Sequence, residues 1–191
     1  SITGLSVGGL PDGCVDADTL AAGAAVPADG SITAAKLASG AITRSVLPAG
    51  SVLQTVQVTT TTQTENAFSS QQTFLTASIT PTDNNNKILV NVNNGGCGSR
   101  DTSTWWKLRV KRDGSLIRGI ASYIGGYGSG SGREDYPNFS FLDSPGTTNA
   151  ITYTVVGDRS SGGANCYHNH HDSSGTNSQA QSSITLMEIA V

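Results

Sequence analysis

Two histidines separated by one residue are the side chains in this sequence best suited to binding a metal ion. They lie in the run His168-Asn169-His170. Side chains alternate along an extended backbone, so both imidazoles would lie on one side of the chain. Such pairs from three chains around a threefold axis would offer six nitrogens to a transition-metal ion, and His171 with Asp172 would equally complete a site within one chain. The alternative is a solvated polar loop, and no other cofactor is predicted.

A group of aromatic side chains is suited to binding sugars. They lie in or near two long loops predicted at 122–138 and 157–181, beside Asn, Asp and Ser: Trp105, Tyr123, Tyr127, Tyr136 and Tyr167. Sugar rings stack on aromatic faces, and loops at the ends of a rigid scaffold commonly carry binding residues. We therefore predict contact with a receptor or glycan. The alternative is that some of these tyrosines only pack the loops.

Acidic side chains do not form a recognisable catalytic pair. The candidates are Glu134, Asp135, Asp143 and Asp158. Asp143 and Asp158 are predicted in turns, and an exposed Glu-Asp in a Gly/Ser loop is usually solvated. The sequence contains no GxSxG motif and no phosphate-binding loop. We predict no catalytic residue and no enzymatic activity.

Composition points to a protein rich in β-structure. The chain has 191 residues, a net charge of −3, 13% charged residues and 23 glycines. This charged fraction is about half the usual one, and there is no basic patch of the kind that binds nucleic acid. No apolar run reaches the roughly 18 residues that a membrane span needs, so no membrane insertion is predicted.

The cysteines do not form a disulfide framework or a metal motif. The chain has three cysteines, an odd number, and they are widely spaced: Cys14, Cys97 and Cys166. Three isolated thiols are one interpretation. The other is a disulfide between Cys97 and Cys166, which both follow strand-like runs.

Alternating apolar residues predict about eight short strands over residues 51–191. The clearest hairpin has Asp113-Gly114 at its turn, with Leu108, Val110 and Trp106 predicted to face the core. The last strand, from Ile184, is apolar and is predicted to be central or at a subunit interface. The pattern predicts an all-β fold: an antiparallel β-sandwich with a jelly-roll-like arrangement of strands.

The segment before the sandwich contains a ten-residue repeat. Gly30, Gly40 and Gly50 recur at this period. A unit of this size cannot bury its apolar residues alone, so we predict a fibrous shaft in which several chains share a seam. The predicted seam residues are Ile32, Leu37, Ile42, Leu47 and Val52. The alternative is a flexible Ala/Gly/Ser linker.

The repeat Gly-(Ser/Ala)-Ile-Thr, followed by Ala-Lys-Leu-Ala, resembles the shaft repeats of bacteriophage tail-fibre proteins. The run of residues 2–13 is similar to segments of such fibres, and the order of strand and turn motifs across 52–191 resembles C-terminal domains of phage structural proteins. The resemblance implies an intertwined homotrimer in the virion. The motif of His168 and His170 also resembles an iron-binding motif of some phage fibre tips.

Together these observations predict three segments. Residues 1–27 would attach to other virion proteins, 28–50 would form the shaft, and 51–191 would form a head that contacts a host-surface glycan or protein. The predicted function is host attachment by a tail fibre or fibre tip. A head fibre or capsid decoration protein is the alternative, and a tail-spike depolymerase is a third class, distinguishable by turnover of a host polysaccharide.

Overall fold

A computed structural model describes residues 43, 46–99, 104–124, 133–163, 165–169 and 180–191, with the backbone alone at 66, 106, 120–124, 133–135, 160 and 161. The chain divides into two compact units, Ser1–Val46 and Leu47–Val191. The predicted segment 1–27 and the seam residues Ile32, Leu37 and Ile42 lie outside the described residues. The predicted head, 51–191, lies within the second unit.

The second unit is built from β-strands, and the described residues contain no α-helix. The described residues form twelve strands: β1 (Val52–Thr60), β2 (Thr64–Asn66), β3 (Gln72–Ile79), β4 (Lys87–Asn93), β5 (Cys97–Ser99), β6 (Trp105–Arg112), β7 (Ser115–Ile124), β8 (Arg133–Asp135), β9 (Phe139–Asp143), β10 (Ile151–Ser161), β11 (Cys166–His168) and β12 (Ser182–Ile189). The all-β prediction is confirmed.

The eight longer strands form two antiparallel sheets packed face to face. Sheet I has the order β1-β12-β4-β9, and sheet II has the order β3-β10-β6-β7. Successive long strands alternate between the sheets, except at the hairpin that joins β6 to β7. Eight strands connected in this way form a jelly roll, so the predicted sandwich topology is confirmed. The apolar last strand lies inside sheet I, between β1 and β4, as predicted.

The core lies between these two sheets and is formed by alternate residues of each strand. Side chains from both sheets are at most 3% exposed there, among them Leu75, Ile88, Val90, Val92, Leu108, Val110, Ile151, Tyr153, Val155, Ile184 and Leu186. Burying one such side chain stabilises the fold by about 1.5–3 kcal/mol. Period-2 alternation therefore identified the inward faces of β3, β4, β6 and β10 correctly, but it placed Val52 on the face of Val56 and Val58, and an irregularity after Val52 turns that residue outward.

The hairpin at Asp113-Gly114 has the turn that its sequence predicts. Both residues have positive φ angles, 48° and 81°, as a type I′ turn requires. The turn is also bonded to β10, because the Asp113 backbone N–H donates to the Thr152 carbonyl and Asp113 Oδ1 accepts from the Thr152 N–H, both at 2.9 Å. Trp106 was predicted to face the core, but its side chain lies outside the described residues.

Four strands of three residues each were not predicted. They form sheet III, with the order β2-β11-β5-β8. Each of them is the neighbour in sequence of one strand of sheet I, and the order of the two sheets corresponds strand for strand. Sheet III is therefore a continuation of sheet I beyond a bend. Strands this short show no alternation that a sequence pattern could reveal.

The sandwich has two ends, which we call the base and the tip. At the base the chain enters beside its own C-terminus, since the Gly50 N–H donates to the Ala190 carbonyl at 2.8 Å and the Ala190 N–H donates to Ser51 at 2.9 Å. The hairpin at 113–114 and the turns at 80–86 and 144–150 lie at this end. Sheet III lies at the tip, where β5, β7 and β11 lead into segments outside the described residues.

A buried carboxylate fastens the base from inside. Glu188 on β12 is fully buried and accepts hydrogen bonds from Gln54 Nε2 (2.6 Å), the Thr82 N–H (2.6 Å), Thr82 Oγ1 (2.7 Å) and Asn86 Nδ2 (2.7 Å). Burial alone would raise the pKa of Glu188, but the hydrogen bonds from Asn86, Thr82 and Gln54 outweigh it and lower the pKa. The turn at 80–86 is thereby tied to the last strand.

A second carboxylate joins the two sheets at the base. Asp143 ends β9 in sheet I, and its Oδ2 accepts from Arg112 NH1 at 2.7 Å and from the Tyr153 hydroxyl at 2.6 Å. Both donors belong to sheet II. Burial and the bond to Asp143 raise the pKa of Tyr153, so its hydroxyl stays protonated and donates.

Candidate functional site

His168 lies in a buried polar cluster at the bend between sheets I and III. It is 1% exposed, and its ring stacks on Phe74 with centroids 4.2 Å apart and planes 10° from parallel. The prediction of one long loop over 157–181 was therefore wrong, because 157–161 belong to β10 and 166–168 form β11. A strand as short as β11, with polar residues around it, shows no alternating pattern from which it could be predicted.

The hydrogen bonds of this cluster fix the direction of each proton. The Ser182 hydroxyl donates to Asn169 Oδ1 at 2.5 Å and accepts from the Gly95 N–H at 3.0 Å. His168 Nε2 lies 3.0 Å from the same hydroxyl oxygen. Since the single Ser182 proton is directed at Asn169, Nε2 of His168 must carry a proton and donate. This is the reverse of the serine-to-histidine direction that a nucleophile and its base require.

Asn169 connects the cluster to the end of β1. Its φ angle is +54°, a conformation that asparagine adopts more readily than most residues, and its Nδ2 donates to the carbonyls of Thr60 (3.0 Å) and Thr62 (3.2 Å). The cluster thus satisfies backbone groups that the strand ladders leave unpaired where the sheet bends. Burial lowers the pKa of His168 to about 4, so the imidazole is neutral at pH 7.

The predicted metal pair is only half described. His170 lies outside the described residues, as do His171 and Asp172. Within the described part of the chain, no group of three or more His, Cys, Asp or Glu side chains could hold a metal ion. The His168 ring already stacks on Phe74 and forms a hydrogen bond with the Ser182 hydroxyl. The transition-metal site at His168 and His170 stays a prediction.

The predicted sugar-binding aromatics have different placements. Tyr136 is 61% exposed at the tip, just after β8, and Trp105 is half-buried at the start of β6. Tyr167 is only 6% exposed, so its predicted display in a loop was wrong: it lies within the short strand β11, which is buried along its whole length. The Tyr123 side chain and all of Tyr127 lie outside the described residues.

The acidic residues that the sequence offered as catalytic candidates all lie in β-strands. Asp158 lies within β10 and forms an ion pair with Arg109, so its predicted turn was wrong; the turn-like context of Asp143 is instead the last position of β9. Only the backbone is described at Glu134 and Asp135 in β8.

Cys97 and Cys166 lie on neighbouring strands, yet they are buried thiols without a disulfide. The register places Cys97 opposite His168, two residues away from Cys166, which is too far along the strand for a bridge.

A cleft lies along the side of the sandwich where the outer strands β7 and β9 face each other. It has a volume of about 480 Å³ and is lined by Ile117, Arg118, Gly119, Phe139 and Ser140. This is within the size range of small-ligand sites. No sequence pattern indicates this cleft, because its two walls are far apart in sequence.

One positive charge lies at this cleft. The Arg118 guanidinium is 5.6 Å from the centre of the Phe141 ring, a cation–π distance, and the Phe139 and Phe141 rings are near-parallel at 6.3 Å. The ion pairs of the described residues join Arg109 to Asp158 and Arg112 to Asp143. Among those residues Arg118 has no carboxylate partner.

Within the part of the chain that the structure describes, no helix has the length and apolarity that crossing a bilayer requires.

Comparisons with known proteins give only distant similarity. No family model and no curated protein matches the chain. Solved structures with some likeness include T=1 particles derived from infectious bursal virus (TM-score 0.37, 16% identity, 74% of this chain and 37% of that chain). Others are infectious bursal disease virus of the Gx strain (0.39, 15%, 72% and 36%) and dimeric latent PorU from Porphyromonas gingivalis (0.36, 10%, 75% and 14%). This chain spans little more than a third of the viral chains, and likeness at this level carries no argument about function.

Proposed function

We propose that this chain is a structural protein of a bacteriophage virion, a tail fibre or fibre tip that attaches to the host surface as a homotrimer. The observation that carries the proposal is that the two ends of the jelly roll differ in what they connect to. The chain enters at the base, directly after the repeat, while the segments after β5, β7 and β11 leave from the tip. The connections after β7 and β11 are longer than the turns at the base, and a domain anchored at one end with its longest connections at the other is suited to display. Jelly rolls are common in capsid proteins and lectins, an analogy of fold only.

The outer face of sheet I supports the association of copies. Cross-strand register aligns Thr55, Met187, Leu89 and Leu142 in one row near the base, and Val52, Ile189 and Lys87 in the next. We call the apolar members of these two rows the apolar band. Val52 is 52% exposed and Leu142 is 50% exposed in the single chain. This apolar band is continuous along the chain with the repeat, whose predicted seam ends at Leu47 and Val52. We propose that trimer contacts extend from the seam onto this band.

The first test is the mass of the full chain in solution by light scattering. We expect a value near three times 19.6 kDa. Leu142→Asp should reduce the trimer fraction at low concentration, whereas Leu116→Asp, at a position of similar exposure (55%) on sheet II, should leave it unchanged. A wild-type monomer, or equal effects of both substitutions, would contradict the trimer proposal.

The attachment role needs a separate measurement. The labelled full chain should adsorb to cells of some strains in a bacterial panel, and the three weak sites of a trimer would increase the avidity of adsorption. The alternative is a head fibre or capsid decoration protein, favoured by the almost uncharged outer face of sheet I, which would suit packing on a lattice. Binding to capsids without adsorption to any strain would support that alternative.

A further inference from the structure

The cleft between β7 and β9 contains a glycine for which the fold gives no reason. Gly119 lies inside β7, where glycine weakens a strand, and its φ angle is not in the left-handed region. A Cβ atom added there would meet no atom within 4 Å. Neither backbone conformation nor packing therefore requires glycine. Gly119 lines the cleft, and because it carries no side chain its backbone is open there.

Arg118, next to this glycine, gives the cleft its chemistry. Arginine presents a planar array of donors that matches a carboxylate in bidentate geometry. Phe141 supports the guanidinium from one side, and no carboxylate of the described residues neutralises it. The cleft therefore favours a ligand with one negative charge.

The remaining walls favour a ring that carries hydroxyl groups. Phe139 and Ile117 offer apolar surface, and Ser140 is an exposed hydroxyl-bearing residue on the opposite strand from Arg118. A volume of about 480 Å³ accommodates one or two sugar rings. Aromatic and polar groups side by side are the combination that saccharides use.

We infer that this cleft binds a carboxylated sugar of the uronic-acid type, with the carboxylate on Arg118 and the ring against Phe139. The inference rests on the proposed attachment function, because it names a ligand class on the host surface. It adds a site on the side of the sandwich, separate from the tip aromatics.

The test uses two glycosides that differ in one group. Methyl β-D-glucuronide carries a carboxylate where methyl β-D-glucoside carries a primary alcohol. Saturation-transfer NMR and titration with the full chain should show binding of the glucuronide at least about tenfold tighter than of the glucoside, as expected for a charge-assisted contact. Equal binding of the two, or no binding of either, would overturn the inference.

Matched variants locate the binding. Arg118→Gln should weaken glucuronide binding about tenfold. Lys107→Gln removes a charge elsewhere on sheet II, so this control variant should bind normally. Circular dichroism checks that each variant is folded. Unchanged binding in folded Arg118→Gln would also overturn the inference.

Two further outcomes separate the explanations. If N-acetylglycine binds as tightly as the glucuronide, the cleft recognises carboxylates of any source, such as a peptide, and the sugar assignment is wrong. Cell adsorption is measured in parallel: adsorption by wild type without glucuronide binding would refute the cleft site and leave the attachment role intact. Glucuronide binding without adsorption to any strain would do the reverse.

Discussion

The base and the tip of the sandwich solve the same problem with different chemistry. At each end the chain turns or bends, and polar groups are buried away from the strand ladders. At the base, the carboxylates of Glu188 and Asp143 accept hydrogen bonds from these polar groups. At the tip, the neutral side chains of His168, Ser182 and Asn169 do so. Among the described residues, Asn94 Oδ1 near the tip is buried without a hydrogen-bond partner, and the fully buried carboxylate, Glu188, lies at the base.

The difference predicts that the two ends respond to pH in different windows. A buried neutral imidazole resists protonation, whereas a buried carboxylate with four donors resists losing its charge. Acid should therefore weaken the tip first and the base afterwards. For a protein fixed to a particle through its base, this order would leave the anchoring end intact while the displaying end loosens.

The largest effect tests the bend at the tip. Gly95→Ala should lower the free energy of unfolding by more than about 3 kcal/mol, because the new Cβ would lie 2.5 Å from the Gln181 backbone nitrogen and 2.7 Å from its carbonyl oxygen. Neither backbone atom can move without breaking the cluster around Ser182. Urea denaturation measures the loss. Gly163→Ala, with open space around it, is the control and should change stability by less than about 0.5 kcal/mol.

The second prediction tests the neutral histidine. An unfolded chain protonates His168 near pH 6.5, but burial lowers its folded pKa to about 4. The unfolded state therefore binds the proton first, and stability falls as the pH decreases from 6.5 to about 4, by up to about 3 kcal/mol. His168→Gln should remove this part of the pH dependence. Identical pH profiles for wild type and variant, measured by denaturation at each pH, would contradict the assignment.

The third and smallest prediction tests the charged base. Glu188→Gln should cost about 2 kcal/mol at pH 7, because one amide cannot accept all the hydrogen bonds of the carboxylate. The folded pKa of Glu188 is lowered, so its contribution is complete above the unfolded pKa of 4.5 and is lost as the pH falls below it. The variant should lack this loss.

Combining two of these variants sharpens the comparison. Because Glu188 and His168 lie at opposite ends, the losses of the double variant should add within about 0.5 kcal/mol. Hydrogen exchange should show that Glu188→Gln loosens the turn at 80–86 and that His168→Gln loosens β11. A strongly non-additive double variant would mean that base and tip are one cooperative cluster rather than two.

Much of the sandwich is specified by local patterns. Alternation identified the inward faces of the long strands, such as Ile88, Val90 and Val92, because a strand buried on one face alternates with period 2. The dipeptide Asp113-Gly114 specified its turn, because few residues adopt positive φ angles. The sites were less predictable. Tyr167 and His168 looked like loop residues because their three-residue strand is buried, with no alternation to read.

The sequence by itself determined the all-β class, the central last strand and the repeat before the sandwich, since these depend on periodicity and turn chemistry within short windows. Only the tertiary structure decided that sheet III continues sheet I, that Glu188 is held at the base, and that Arg118 and Phe139 line one cleft. The reason is physical. A local pattern specifies which side of a strand is buried, but which residues meet across the sandwich depends on the order in which distant strands pair.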